Sequence, residues 1–323
     1  MVLKLPDRWV WDSWYVRDGD DHHAFYLCAP RSLGNPDLRH WNTTIGHAIS
    51  NDLVNWQVLP DALTPSDSPA WDSWTTWTGS VIKAPDGTWW MFYTGTSRED
   101  DGKIQRIGAA TSGDLLTWRK VGDSPLAEAD ANFYEVFQDG VWPDQAWRDP
   151  WVYQDSDSWR MLITARKRTG DSLVRGTIGH ARSDDLVHWK VDDSLTHLPS
   201  NFGQLEVFQL AEVEGRKVLI FSCATPELAP VRPEKWDGRG GGVYSIPVDG
   251  RLEDLDLRQA HLFPDSSLYA ARLVIGDQGA AYFIGFRNIV DGEFIGELTD
   301  PIRVTLTARG LEPFAAESAD QGT

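Results

Sequence analysis

The chain has very little sulfur and little positive charge. Only two of its 323 residues are cysteine, Cys28 and Cys223, and three are methionine. So few cysteines exclude a disulfide framework, and no C-x-x-C pair is present to open a zinc site. Both lie in apolar runs, Phe25-Tyr-Leu-Cys28 and Val218-Leu-Ile-Phe-Ser-Cys223, which predicts buried free thiols. Lys and Arg number 30 against 48 Asp and Glu, a formal net charge of −18. Such a surface repels phosphate backbones, so nucleic acid is not an expected partner. Long apolar runs are missing too. No 18-residue apolar stretch could cross a membrane as a helix, and the opening Met1-Val-Leu-Lys-Leu-Pro-Asp-Arg8 has no export-signal core. The expected setting is cytoplasmic, with no membrane partner. No window sustains a 3.6-residue apolar period, which argues against a helical fold. The eight histidines show no metal-ligand spacing, and His22-His23 in its charged stretch is expected to be solvated. Gly238-Arg-Gly-Gly-Gly242 lacks the Lys-Ser/Thr of a phosphate-binding loop and reads as a flexible turn. No cofactor and no metal are expected.

What the chain does have is tryptophan, 17 residues, and a repeat. Ile45-Gly-His-Ala-Ile-Ser-Asn-Asp-Leu-Val-Asn-Trp56 matches Ile107-Gly-Ala-Ala-Thr-Ser-Gly-Asp-Leu-Leu-Thr-Trp118 and Ile178-Gly-His-Ala-Arg-Ser-Asp-Asp-Leu-Val-His-Trp189. The shared form is I-G-x-A-x-S-x-D-L-x-x-W. One supersecondary unit therefore recurs about every 60 to 70 residues. Its prelude is an aromatic-rich strand, a tight turn and an apolar strand. Trp77–Lys83, the Ala84-Pro-Asp-Gly87 turn and Trp89–Thr94 show it best. The order can be read five times, over about 9–60, 74–121, 145–191, 204–248 and from about 269 onward. In the second unit the last strand is expected to end at Trp118. Four-stranded units around an axis make a β-propeller, with five units giving five blades. An all-β, five-bladed propeller of antiparallel four-stranded blades over residues 1–312 is expected, with a polar tail at 313–323.

Innermost strands converge on a central funnel, so acids on them matter. Asp12 stands in Trp9-Val-Trp-Asp-Ser-Trp-Tyr15, Asp149 in Trp147-Arg-Asp-Pro-Trp151, and Glu206 in Gly203-Gln-Leu-Glu-Val-Phe-Gln-Leu210. They occupy the equivalent point of units one, three and four. Acids are rarely buried without partners, so three in register in apolar strands need a reason. Arg148 beside Asp149 can pair with a carboxylate or hold substrate hydroxyls. Three converging carboxylates suit glycoside hydrolysis, with one attacking the anomeric carbon, one protonating the leaving oxygen and one orienting the sugar. A Ca²⁺ site is the rival use, but no D-x-D-x-D-G loop is present. The repeat itself reads as scaffold, with Asp52, Asp114 and Asp185 in outer turns and Trp56, Trp118 and Trp189 packing the blades.

These stretches, in this order, resemble the catalytic propeller of glycoside hydrolase family 32, the invertases, inulinases and levanases. Trp11-Asp12-Ser13-Trp14 resembles the V-W-D-S-W motif of the levansucrases of family 68, which shares the fold and the clan, J. Ile45 to Trp56 is similar to W-G-H-A-x-S-x-D-L-x-x-W. Asp72 to Ser80 is similar to D-x-x-G-x-x-S-G-S. Arg148-Asp149-Pro150 matches R-D-P, and Leu205-Glu206-Val207 stands where the family has W-E-C-P. Asp265 and Tyr269-Ala-Ala271 resemble a motif of blade five, and Phe294 to Pro301 resembles the closing segment. The resemblance implies Asp12 as nucleophile, Glu206 as acid/base and Asp149 as transition-state stabiliser. Arg148 and Trp77 would contact the sugar, with Asp72, Trp14, Ser80 and Asp265 as further candidates. Trp11 is expected to pack. The implied reaction is retaining cleavage of, or transfer from, β-fructofuranosides, with a small carbohydrate as partner.

The chain departs from the pattern at Ser13-Trp14-Tyr15 and at Val207-Phe208, both beside the reacting ring. It also ends just past the fifth blade, without the β-sandwich that follows the family 32 propeller, and a homo-oligomer could cover the face left open. Three rival readings remain: an inverting arabinan- or xylan-cleaving propeller of the family 43 type, a non-catalytic carbohydrate-binding propeller, and a WD-repeat-like scaffold. The last fails on period, because its repeats fall near 40 residues.

Overall fold

Alternating apolar strands and Gly- or Asp-bearing turns fold into five sheets around an axis. The computed structural model describes residues 3–156, 158–197, 200–228 and 241–315. Blade one comprises β1 (Arg8–Asp18), β2 (Asp21–Pro30), β3 (Thr44–Ser50) and β4 (Gln57–Leu63). Blade two comprises β5 (Thr75–Lys83), β6 (Trp89–Thr96), β7 (Arg106–Ser112) and β8 (Arg119–Lys120). Blade three has β9 (Trp147–Asp155), β10 (Ser158–Arg166), β11 (Gly176–Ser183) and β12 (Lys190–Asp192). Blade four has β13 (Glu206–Val213), β14 (Arg216–Cys223), β15 (Gly242–Val248) and β16 (His261–Leu262). Blade five starts with β17 (Leu268–Ile275) and β18 (Ala281–Arg287). A small hairpin of β19 (Ile289–Val290) and β20 (Glu293–Phe294) interrupts it before β21 (Ile302–Leu306) and β22 (Leu311–Pro313). Strand order in each blade is sequential and pairing is antiparallel. The first strands of successive blades touch around the axis, and β1 meets β17 to close the ring.

The repeat explains how one blade seats on the next. Gly46 and Gly108 are required by close approach. A Cβ at Gly46 would lie 2.3 Å from the Tyr26 ring, and one at Gly108 would lie 2.3 Å from Trp71. The Ser-x-Asp-Leu segment is a tight turn held by its own side chains. Asp52 Oδ1 accepts the amides of Val54 (2.9 Å) and Asn55 (2.7 Å), Leu53 takes φ of 62°, and the Trp56 indole donates to the Leu53 carbonyl at 3.1 Å. Asp114 with Trp118, and Asp185 with Trp189, repeat this arrangement bond for bond. The indole then wedges against the preceding blade. Trp118 meets Phe25 edge-on at 5.6 Å, and Trp189 meets Phe92 at 5.5 Å.

Several expectations are corrected. The fourth strand begins after the repeat's Trp instead of ending on it, because the indole caps the turn. Blade four finds its last strand at His261–Leu262, past Val248. His22 and His23 are buried in β2, not solvated, and His23 Nδ1 lies 2.9 Å from His47 Nε2. The alternation of β2 turns this pair into the blade, where Phe25 stacks on His47 at 4.5 Å. Cys28 and Cys223 are buried, as expected, and Cys223 Sγ donates to the Ala224 carbonyl at 3.5 Å. Most of the Gly238–Gly242 stretch lies outside the described residues, as do residues 316–323 of the tail.

Candidate active site

Every innermost strand carries a β-bulge at the same height. Register slips between Trp11 and Ser13, between Trp77 and Gly79, between Glu206 and Gln209, and between Tyr269 and Arg272. In blade three it slips at Asp149-Pro150, opposite the step from Leu162 to Thr164. A bulge bends the strand and re-aims a side chain. Here it turns Asp12 and Thr78 off their strands and into the funnel. Asp149, Val207 and Ala270 adopt φ of 58°, 57° and 46° at these points. Each such backbone costs roughly 1–3 kcal/mol, so the surroundings must hold it. Neighbouring blades do so. The Asp149 amide donates to Thr94 Oγ1 at 2.9 Å, the Ala270 amide to Ser222 Oγ at 3.0 Å, and the Val207 amide to Asp149 Oδ2 at 3.3 Å.

The funnel holds a cavity of about 410 Å³ whose lining includes Asp12, Asp149, Glu206, Arg148, Trp77 and Tyr269. Asp12 accepts the hydroxyl of Thr78. Asp149 Oδ2 accepts the hydroxyl of Thr164 at 2.9 Å. Glu206 is bracketed, its Oε1 by Arg148 Nη2 at 2.5 Å and its Oε2 by the Tyr269 hydroxyl at 2.5 Å. Arg148 is itself oriented by Gln105 at 3.1 Å and by Gln204, and its Nε pairs with Asp149 at 3.6 Å. The Trp77 indole donates to the His40 carbonyl at 2.8 Å, which fixes an aromatic wall continued by Trp41 at 5.8 Å.

Electrostatics separates these groups. Burial lifts the Asp12 carboxyl to about 6, opposed by the Thr78 hydrogen bond and reinforced by the Glu206 charge. Burial likewise lifts Asp149 to about 7, with Arg148 opposing and Glu206 and Asp12 reinforcing. Burial would strip the charge from Arg148, but the carboxylates of Glu206, Asp149 and Asp144 outweigh it and keep the guanidinium charged. Burial, with Arg39 and Arg148 nearby, drops His40 to about 3, so its ring is neutral.

Four candidates are not brought to the cavity. Asp72 is buried against blade two, taking the Tyr93 hydroxyl at 2.8 Å and Lys120 at 2.5 Å. Trp14 is fully buried and stacks on Phe25 at 6.4 Å. Ser80 accepts the Val152 amide at 3.1 Å and ties blade three to blade two. Asp265 is half-buried and pairs with Arg287 at 2.8 Å. Trp11, expected to pack, is almost fully buried and also lines the cavity.

The cavity contains groups that motif reading did not single out. Asp144 sits in the connection between blades two and three and Glu227 in the connection between β14 and β15 of blade four; both add acidic lining, and burial raises both carboxyls. Asp144 lies four residues before Arg148, which is the only signal it carried. Tyr269 belonged to a recognised motif but had no role assigned.

Comparison with known proteins follows the same line. The model of the glycosyl hydrolases family 32 N-terminal domain matches residues 14–293. Beta-fructofuranosidase 1 of Zea mays is 33% identical over 220 residues, 62% of this chain and 28% of the maize protein. A bifunctional fructosyltransferase of Allium cepa is 37% identical over 168 residues, 47% of this chain and 24% of the onion protein. The chain thus spans about a quarter of the length of these relatives. Among solved structures, the inulosucrase of Halalkalicoccus jeotgali bound to kestose superposes with a TM-score of 0.76 at 22% identity, covering 95% of this chain and 87% of that one. Bacillus subtilis levansucrase superposes with 0.71 at 15% identity, covering 96% and 86%. At these identities the superpositions establish the fold.

Proposed function

Because this chain belongs to glycosyl hydrolase family 32, we propose that it cleaves β-fructofuranosides with retention, releasing the fructosyl unit to water or to a second sugar. The observation that carries the reading is the convergence of Asp12, Asp149 and Glu206 from three blades on one cavity with Arg148 between two of them. The plant relatives, named as β-fructofuranosidases and a fructosyltransferase, support the substrate class.

The roles are those the family resemblance implies. Asp12, ionised above about pH 6, attacks the anomeric carbon, and the bond to the leaving oxygen breaks. Glu206 delivers its proton to that oxygen, so the second sugar leaves as a neutral alcohol. The fructosyl unit is then an ester of Asp12. Glu206, now a carboxylate, takes a proton from water or from a sugar hydroxyl. That oxygen attacks the anomeric carbon and Asp12 is regenerated. Asp149 accepts hydrogen bonds from ring hydroxyls, which strengthen as charge develops at the ring. Arg148 orients the Glu206 and Asp149 carboxylates and can donate to the sugar. Trp77 offers a flat apolar face to the ring.

The test is incubation with sucrose, an inulin oligosaccharide, levan and arabinan, with products read by chromatography and the anomer of the first product read by NMR. Release of fructose with its configuration kept is expected, and lost in Asp12→Asn and Glu206→Gln. Turnover of arabinan alone, inversion, or undiminished activity of Asp12→Asn would each sink the reading.

A further inference from the structure

Arg272 is fully buried on β17, at the axis, beneath the cavity. It makes no contact with solvent, and the reaction sequence above gives it no part. Burying a guanidinium is expensive unless its donors are met. Here the Nη donors meet backbone carbonyls from two other blades, while Nε has no hydrogen-bond partner among the described residues. Nη1 donates to the carbonyls of Val207, at 3.3 Å, and Phe208. Nη2 donates to the carbonyl of Gly79 at 3.4 Å. The guanidinium also lies over the Trp151 ring, 5.0 Å from its centre, so blade three contributes a face.

Those carbonyls are not arbitrary. Val207 and Phe208 form the bulge directly after Glu206, and Val207 is a β-branched residue held at φ of 57°. The amide of Val207 is the one that donates to Asp149. Gly79 directly follows Thr78, the hydroxyl partner of Asp12. One side chain therefore fastens the backbone on which Glu206, Asp149 and the Thr78–Asp12 bond all depend. We propose that Arg272 is a positioning residue, a buried axial cation that pins the bulges of blades two and four and faces the Asp12 and Asp149 carboxylates from below. This rests on the fructosidase reading for its catalytic consequence.

Its charge acts on both acids. The groups facing Asp12 are Glu206 from blade four and Arg272 from blade five, with Arg39 from the connection after β2. Tyr15 lies on its own strand, and Asp149 faces it from blade three. Asp12 has no ion-pair partner of its own among the described residues, so the Arg272 charge offsets part of the cost of ionising it. Removing that charge makes ionisation harder and moves the acidic limb of the rate profile to higher pH.

The test compares wild type, Arg272→Lys and Arg272→Met, using kcat/KM against pH on whichever fructoside wild type turns over, together with thermal unfolding. Lys keeps the charge but cannot reach three carbonyls at once. It should hold the acidic limb in place while kcat drops about tenfold, as misplaced catalytic groups do. Met should move that limb up by about one pH unit. A purely structural Arg272 would lower thermal stability in both variants and leave the limb unmoved, which overturns the proposal. If Arg272→Met does not fold, Arg272→Lys decides, and wild-type kcat in that variant overturns the proposal. A carboxyl ¹³C titration of Asp12, assigned with Asp12→Asn, reads the same shift without turnover. Wild type inert on every fructoside would fail the parent reading alone, and an unmoved Asp12 titration in Arg272→Met would fail this one.

Discussion

Thr78 of blade two donates its hydroxyl to the carboxylate of Asp12 in blade one. The acid proposed as nucleophile is thus held from outside its own blade. The bond favours the charged form against burial, and the balance leaves the carboxyl at about 6. Wild-type kcat/KM should therefore fall as pH drops through about 6, because a protonated carboxyl is no nucleophile.

Thr78→Val keeps the shape and deletes the donor. A hydrogen bond to a charged group contributes about 1.5–3 kcal/mol, or one to two pH units. The acidic limb should move up by about that much, with kcat/KM at pH 6 reduced about tenfold. A kcat/KM–pH profile superposable on wild type would refute the role of this bond.

Gly108→Ala should destabilise the whole ring. Its new methyl would sit 2.3 Å from Trp71, a ring that also stacks on Tyr93 at 5.5 Å and so cannot swing away freely. Overpacking of this kind costs about 1–3 kcal/mol. Urea unfolding should show a lower midpoint at unchanged slope. A midpoint equal to wild type would mean that the indole moves at no cost.

The buried His23–His47 pair gives stability its own pH dependence. Burial lowers both rings, His47 to about 3, whereas an unfolded histidine titrates near 6.5. Below about pH 6.5 the unfolded chain binds protons that the folded chain refuses. Stability is therefore full above that pH and lost as pH falls toward 3. Between pH 7 and 5 the loss from His47 alone should be about 2 kcal/mol. His47→Gln, which can still accept or donate toward His23, should flatten the slope in urea titrations. An unchanged slope would place the pH dependence elsewhere.

The tetrapeptide Trp-Asp-Ser-Trp occurs twice, and the two copies show what a sequence can and cannot say. Trp11-Asp12-Ser13-Trp14 and Trp71-Asp72-Ser73-Trp74 are identical. Asp12 falls on a strand whose register slips just there, which sends its carboxyl into the cavity. Asp72 falls before β5 and is captured by Lys120 and Tyr93. Trp14 packs in the core, whereas Trp74 stacks beside Trp41 at 4.8 Å. Residue type and neighbours are the same, so the difference is register, and register depends on a partner strand that local pattern does not contain. The blade count was legible because the I-G-x-A and D-L-x-x-W positions each answer a local demand, a close approach or a turn. Asp149, Arg148 and Glu206 were legible because they sit at equivalent points of that count. Asp144 and Glu227 were not, since the connections that carry them, one between blades two and three and one inside blade four, have no period. Ser80 belongs to a recognised motif, yet it serves the seam between blades and not the sugar.

Each blade takes its four strands from one continuous segment, and the ring is shut where β1 meets β17, with Val10 donating to the Gly296 carbonyl at 2.9 Å and Leu298 to that of Leu3 at 3.2 Å. During synthesis the chain can therefore stack blade upon blade as it emerges, with no early strand waiting for a late one to complete its sheet. Every acid of the triad has been made once Glu206 is added. The group that steadies that acid, Tyr269, and the cation under the other two, Arg272, come out last. A nascent or truncated chain is in consequence expected to be a folded arc with its acids unset, and competence arrives only when blade five docks against blade one.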